Sequence, residues 1–191
     1  MAHLRSLPDG AVLMDVFMKR PELARPLLTF HEHLLRGPSP LSVTERELIA
    51  AYVSALNACT YCQGVHTATA EAFGLEEGML EALLRDLDDA PVDEKLKPLL
   101  RYTQKLTVTP SRMTPADADA VYAAGWDETA LHDAVAVCAL FNCMNRLVEG
   151  FGIVSDDQYF AFSGQRLMDI GYQGLADQLD AAPSEEAETT D

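Results

Sequence analysis

Ser42-Val43-Thr44-Glu45-Arg46-Glu47-Leu48-Ile49-Ala50-Ala51-Tyr52-Val53-Ser54-Ala55-Leu56-Asn57-Ala58-Cys59-Thr60-Tyr61-Cys62-Gln63-Gly64-Val65-His66 is the stretch on which the fold turns. Its opening, with a hydroxyl at Ser42 and a carboxylate at Glu45, matches the capping box, in which the two side chains satisfy exposed backbone donors at a helix start. The helix beginning at Val43 carries Glu47. Leu48, Ile49, Tyr52, Val53, Ala55 and Leu56 give it a mostly apolar surface, which places it at the centre of a core. Asn57 is the expected break. A new helix starting at 57–58 puts Cys59 in its first turn, runs to Phe73 and stops at Gly74.

On one helix, at about 100° per residue, Cys59, Cys62 and His66 fall within about 60° of one another. The two cysteine Cα atoms are then roughly 5 to 6 Å apart, close enough for a disulfide. A helix N-terminus, an adjacent imidazolium and a CxxC spacing each lower a thiol pKa from about 8.5, and all three are present. Glu47 precedes Asn57 by ten residues and His66 follows it by nine. A sharp turn at Asn57 therefore brings them level on antiparallel helices, whereas a continuous helix would hold Glu47 about 18 Å from Cys59. With the turn, Glu47 can accept a proton from His66, and His66 one from a thiol. A solvated carboxylate is the ordinary fate of a glutamate in a charged segment, and Glu45 suits it better. Glu47, followed by apolar residues, is expected to be buried with a raised pKa.

The rest of the chain reads as helices. Segments are expected at 10–20, 21–36, 76–87, 94–106, 115–124, 127–151 and 156–168, separated by Gly37-Pro38-Ser39-Pro40, an Asp-rich linker and Thr109-Pro110-Ser111. Only 106–109 looks mildly strand-like, so the fold class is all-α. Residues 1–182 are expected to form a single domain and the acidic stretch 183–191 a disordered tail. Asn57 and Asn142, each following a helix pair, hint at an internal duplication.

The chain has 191 residues, 48% of them apolar, enough to build a core without cross-links. Four cysteines and no charged-then-apolar leader suit a reducing cytoplasm. The uninterrupted apolar runs fall short of the ~20 residues that span a bilayer, so no membrane association is expected. A net charge of −16 disfavours nucleic acid and anionic lipid.

CxxC, His66 and Glu47 could also ligate zinc, but such sites usually add a second CxxC or CxxH unit, which is absent here. Cys138 and Cys143 read as inert, buried small hydrophobes. His31 and His33, two apart on a helix, point to different sides and read as surface residues. His3 is expected in a flexible terminus, and His132 has no visible partner. Tyr61, between the cysteines, can either donate a hydrogen bond to a substrate or pack.

The frame Glu47-x11-Cys59-x2-Cys62-x3-His66 resembles the AhpD-like alkylhydroperoxidases of the carboxymuconolactone decarboxylase superfamily. The segments Arg46-Glu47-Leu48-Ile49-Ala50, Ser54-Ala55-Leu56-Asn57-Ala58-Cys59 and Asn145-Arg146-Leu147 look like its uncharacterised peroxidase-related branch, over about residues 5–175. The resemblance implies an all-helical subunit forming dimers, trimers or hexamers, and a thiol-dependent reduction of hydroperoxides without a bound cofactor or metal. It assigns attack on the peroxide to Cys62, capture of the sulfenic acid to Cys59, and the proton relay to His66 and Glu47. It also implies a lipoyl or thioredoxin-like protein as reductant. Tyr61 departs from the pattern, standing where the best-characterised members carry a second histidine. Two rival readings are a lactone decarboxylase working by acid–base chemistry and a non-catalytic redox-sensing or assembly protein.

Overall fold

The computed structural model describes residues 2–181. They form nine α-helices and one 3-10 turn, with no strand among the described residues. The order is α1 (Leu13–Lys19), α2 (Pro21–Arg36), α3 (Val43–Leu56), α4 (Thr60–Ala72), α5 (Met79–Arg85), α6 (Lys97–Val108), α7 (Pro115–Ala123), α8 (Glu128–Phe151) and α9 (Asp157–Ala181). The tail expected at 183–191 lies outside the described residues.

Helix α3 is the axis of the structure. Every residue from 46 to 54 is buried, as expected of a helix that is apolar almost all round. It packs on α4, α8, α6, α5 and α2. Ser42 begins it as the capping box predicts, accepting from the Glu45 N–H at 3.2 Å while Glu45 accepts from the Ser42 N–H at 2.7 Å. Arg46 is buried because it satisfies the end of α2, donating to the Leu34 and Gly37 carbonyls at 2.7 and 2.9 Å.

The predicted break occurs at residues 57–59. Ala58 adopts a left-handed backbone at φ 56°, and Cys59 is the N-cap of α4. Asn57 is pinned from across the core, donating to Asn145 Oδ1 at 2.9 Å and Asn142 Oδ1 at 3.1 Å, both on α8. The two asparagine segments singled out in the sequence thus meet each other. Long and apolar enough to cross a bilayer by length and composition alone, α8 spends Val137, Phe141, Met144 and Val148 on the core and packs against α3 and α6.

Several boundaries differ from the sequence reading. Helix α5 starts at Met79 because Gly78 is left-handed at φ 81°. Residues 106–109 are not strand-like, since α6 runs to Val108 and ends at Thr109. The largest difference lies in α9, which continues past Met168 to Ala181 through a break at Gly171 with φ 63°. Glu32 on α2 accepts from the Tyr172 and Gln173 N–H groups at 2.8 and 3.0 Å, so its carboxylate caps the restarted helix.

Helix α9 lies directly on α4 because glycines remove the side chains between them. A Cβ on Gly164 would come within 2.6 Å of the Ala68 carbonyl carbon, which is backbone and cannot rotate away. Gly164→Ala is therefore expected to destabilise the fold by about 1–3 kcal/mol. Urea denaturation would show this as a lower midpoint, and an unchanged midpoint would contradict the close approach.

Candidate functional site

Glu47 is completely buried and sits at the meeting point of four helices. Its Oε2 accepts from His66 Nδ1 on α4 at 2.7 Å, and its Oε1 from Arg36 on α2 at 2.6 Å and from the Tyr172 hydroxyl on α9 at 3.2 Å. The turn at 57–59 thus brings together the carboxylate and imidazole that the sequence set level. Burial alone would raise the Glu47 pKa, but His66 and Arg36 outweigh it and hold the carboxyl below its ordinary value. This corrects the expectation of a raised pKa: Arg36, unforeseen in the sequence, supplies the fixed positive charge. Glu47 is consequently an anion that orients His66, and its hydrogen bond places the proton on Nδ1 and directs Nε2 away from it.

Cys59, Cys62, His66 and Tyr61 are all buried. The cysteine sulfurs interact with each other but differ in acidity. The Cys62 thiol and backbone N–H beside it bring the Cys59 pKa down, against burial. Contact with Cys59, then burial, pushes the Cys62 thiol well up. Cys59, the N-cap sulfur, is therefore the more acidic of the two, and Cys62 the one that keeps its proton. Two α8 residues that the sequence reading did not assign to the site adjoin this pair. Asn145, which also donates to Ser54 Oγ at 2.9 Å, faces Cys62, and Glu149 lies beside Cys59, where its charge opposes ionisation.

Cys62 and His66 open onto a cavity of about 70 Å³. Leu13, Met14, Phe17, Phe141 and Met144 make most of its wall apolar, with Tyr61, Tyr159 and Arg166 as polar members. Cys59 does not line it. Access and acidity thus fall on different sulfurs of one pair. Tyr61 is tied to Tyr159 by a hydroxyl–hydroxyl bond of 2.9 Å, and its pKa is raised by burial and by that neighbour, so it stays a neutral phenol.

His31 is not a surface residue, in contrast to the sequence reading. It is 3% exposed and lines the same cavity, because α2 turns this side inward against Phe141 and Tyr172. His33 is exposed as expected. Cys138 is buried, but Cys143 is exposed on the outer side of α8. His132 does have a partner, Asp133 at 3.1 Å, and His3, expected in a flexible terminus, is bonded to the Gly150 carbonyl at 3.0 Å. Among the described residues no three His, Cys, Asp or Glu side chains converge as a metal-ligand set. Glu47, the fourth ligand of the zinc alternative, is committed to Arg36, His66 and Tyr172.

Residues 21–104 match the profile of the carboxymuconolactone decarboxylase family. Two solved structures share the architecture. One, described as an alkylhydroperoxidase AhpD core and uncharacterised peroxidase-related protein from Ralstonia eutropha JMP134, superposes with a TM-score of 0.71 at 23% identity over 78% of each chain. The other, an uncharacterised peroxidase-related protein from Silicibacter sp. TM1040, gives 0.72 at 25% identity, again over 78% of each chain. The fold is AhpD-like. The chain is also 28% identical over 116 residues to the uncharacterised protein YdfG of Bacillus subtilis (strain 168), covering 60% of this chain and 78% of that one. The matched span holds α2, α3 and α4, and so Arg36, Glu47 and both cysteines, whereas Tyr172 and the α8 residues lie beyond it.

Burial holds the His31 pKa down to about 4. The unfolded chain, with its histidine near 6.5, then takes up this proton first, so stability declines as pH falls from about 6.5 to about 4, by about 3 kcal/mol. Glu47, whose folded pKa is below the ordinary value, adds a further loss below about pH 4.5. Urea unfolding across this range should show both phases, and His31→Phe should remove the upper one. A native curve flat between pH 6.5 and 4.5 would rule out a neutral, buried His31.

Proposed function

We propose that the AhpD-like chain is a thiol-dependent peroxidase that reduces a small hydroperoxide with the Cys59–Cys62 pair. The observation that carries this reading is that one wall of a mostly apolar cavity holds a cysteine of a redox-capable pair beside an imidazole fixed by a buried carboxylate.

Cys59 gives its proton to His66, which Glu47 backs, and the pair is left with one proton, on Cys62. As the peroxide enters, the Cys62 proton passes to Cys59, and the Cys62 sulfur attacks the terminal peroxide oxygen. The O–O bond breaks, Cys62 is oxidised to the sulfenic acid, and the electron pair leaves on the alkoxide. His66 gives that alkoxide a proton, releasing an alcohol. Cys59 then attacks the Cys62 sulfur, expelling water and closing the disulfide. The balance is two thiols and one hydroperoxide to one disulfide, one alcohol and one water. Arg36 keeps Glu47 ionised throughout, and the apolar wall keeps bulk water from the sulfenic acid.

A dithiol protein of lipoyl or thioredoxin type regenerates the pair. The cytoplasm is the compartment whose redox poise sustains the cycle. Leu23 and Phe30 on α2 and Phe162 and Ile170 on α9 are exposed large apolar residues of the kind a homo-oligomer would bury.

Consumption of tert-butyl hydroperoxide with dihydrolipoamide as donor tests the proposal. The native chain should turn over, Cys62→Ser should fall to the background rate, and His66→Asn should lose about 10²-fold. Equal rates for native chain and Cys62→Ser would remove the peroxidase assignment.

A further inference from the structure

His31 is a buried imidazole that the reaction above does not use. Its Nδ1 lies 2.8 Å from the Leu27 carbonyl one turn earlier on α2. A carbonyl only accepts, so Nδ1 carries the hydrogen and the neutral ring presents Nε2 as a bare lone pair. That nitrogen makes no hydrogen bond among the described residues, yet it is not among the sealed, partnerless atoms, which are Arg36 Nε and Thr67 Oγ1. The ring forms part of the cavity wall, so the opening at Nε2 is the cavity. Tyr172, with ring centroid 5.1 Å away, and Phe141, edge-on at 6.1 Å, hold its plane. Phe141 also abuts the His66 ring at 4.3 Å, so the two imidazoles stand on either side of one aromatic spacer.

Their chemistry is opposite. His66 is backed by the Glu47 carboxylate at 2.7 Å. His31 faces no carboxylate at hydrogen-bonding distance; burial above all, with His66 and Arg36, opposes its charge, against the Leu27 carbonyl and Glu47. An acceptor that faces a mostly apolar cavity and takes no hydrogen bond from the described residues is satisfied by a ligand that brings a donor.

We infer that His31 Nε2 is the acceptor that binds the terminal O–H of the hydroperoxide in the cavity, so that the chain selects ROOH over an equally shaped molecule lacking that hydrogen. The inference rests on the peroxidase reading for the identity of the ligand. The hydrogen bond holds the terminal oxygen, which Cys62 attacks, and leaves the alkyl-bearing oxygen for the proton from His66. His31 thereby supplies from α2 a second histidine in the cavity, although none stands between the cysteines.

A matched pair of probes tests this without turnover. tert-Butyl hydroperoxide and tert-butyl methyl ether differ by replacement of the terminal hydroxyl with a methyl group. In Cys59→Ser/Cys62→Ser, which cannot react, titration is followed through the histidine ring nitrogens by NMR. The hydroperoxide should bind about tenfold more tightly than the ether and shift the His31 Nε2 resonance. His31→Phe in that background should lose the preference, and His31→Gln, which keeps an acceptor oxygen, should restore part of it. Equal binding of the two probes, or an unmoved Nε2, overturns the inference from the unsubstituted ring alone. Should the native chain fail to consume peroxide while the hydroperoxide preference persists, the peroxidase reading falls and the acceptor role of His31 stands.

Discussion

A single carboxylate with no contact to water organises the site. Leaving Glu47 charged and alone in this interior would cost several kcal/mol, and the structure avoids that by sending Arg36, His66 and Tyr172 to it from α2, α4 and α9. Such a cluster is a weak source of net stability, because the attraction does little more than offset the desolvation of its members. Its effect is on arrangement. Three helices that could slide on an apolar surface are held in one register, and the imidazole is held in one tautomer.

The acidic end of the site and its reactive end are arranged on the same economy of donors. Cys59 at the start of α4 has the Cys62 N–H and thiol beside it, so it is the more acidic sulfur although the cavity reaches only Cys62. The sulfur that stores the anion and the sulfur that meets the ligand need not be the same, provided a proton can cross between them. Asn145 contributes by linking Ser54, Asn57 and the neighbourhood of Cys62, which ties the turn before α4 to the long helix α8.

Much of this was legible in residues 42–66. The capping box at Ser42 and Glu45, the break at Asn57, and the pairing of Glu47 with His66 follow from helical geometry over short spacings, where few alternatives exist. The ionisation of Glu47 was not legible, because it depends on Arg36 from a helix whose rotation only tertiary packing sets. His31 illustrates the same limit: spacing tells which side of α2 it occupies, not which side meets the core. Tyr172 lay beyond the point where the helical pattern was followed. Gly171 interrupts the period, and the restart is held by Glu32, 140 residues earlier in the chain. Cys143 looks like Cys138 by composition, yet the turn of α8 between them carries one into the core and the other to solvent.

The interruption at Gly171 also divides the labour of α9. Before it, Tyr159, Ser163 and Leu167 line the chamber; after it, Tyr172 and Leu175 do. The two halves keep independent angular phase, since a residue lost from a continuous helix would turn everything downstream by about 100°, whereas a bend anchored by Glu32 resets the count. The wall built before the break can thus drift in length and shape, and with it the girth of molecule admitted, while the phenol that touches Glu47 stays where it is.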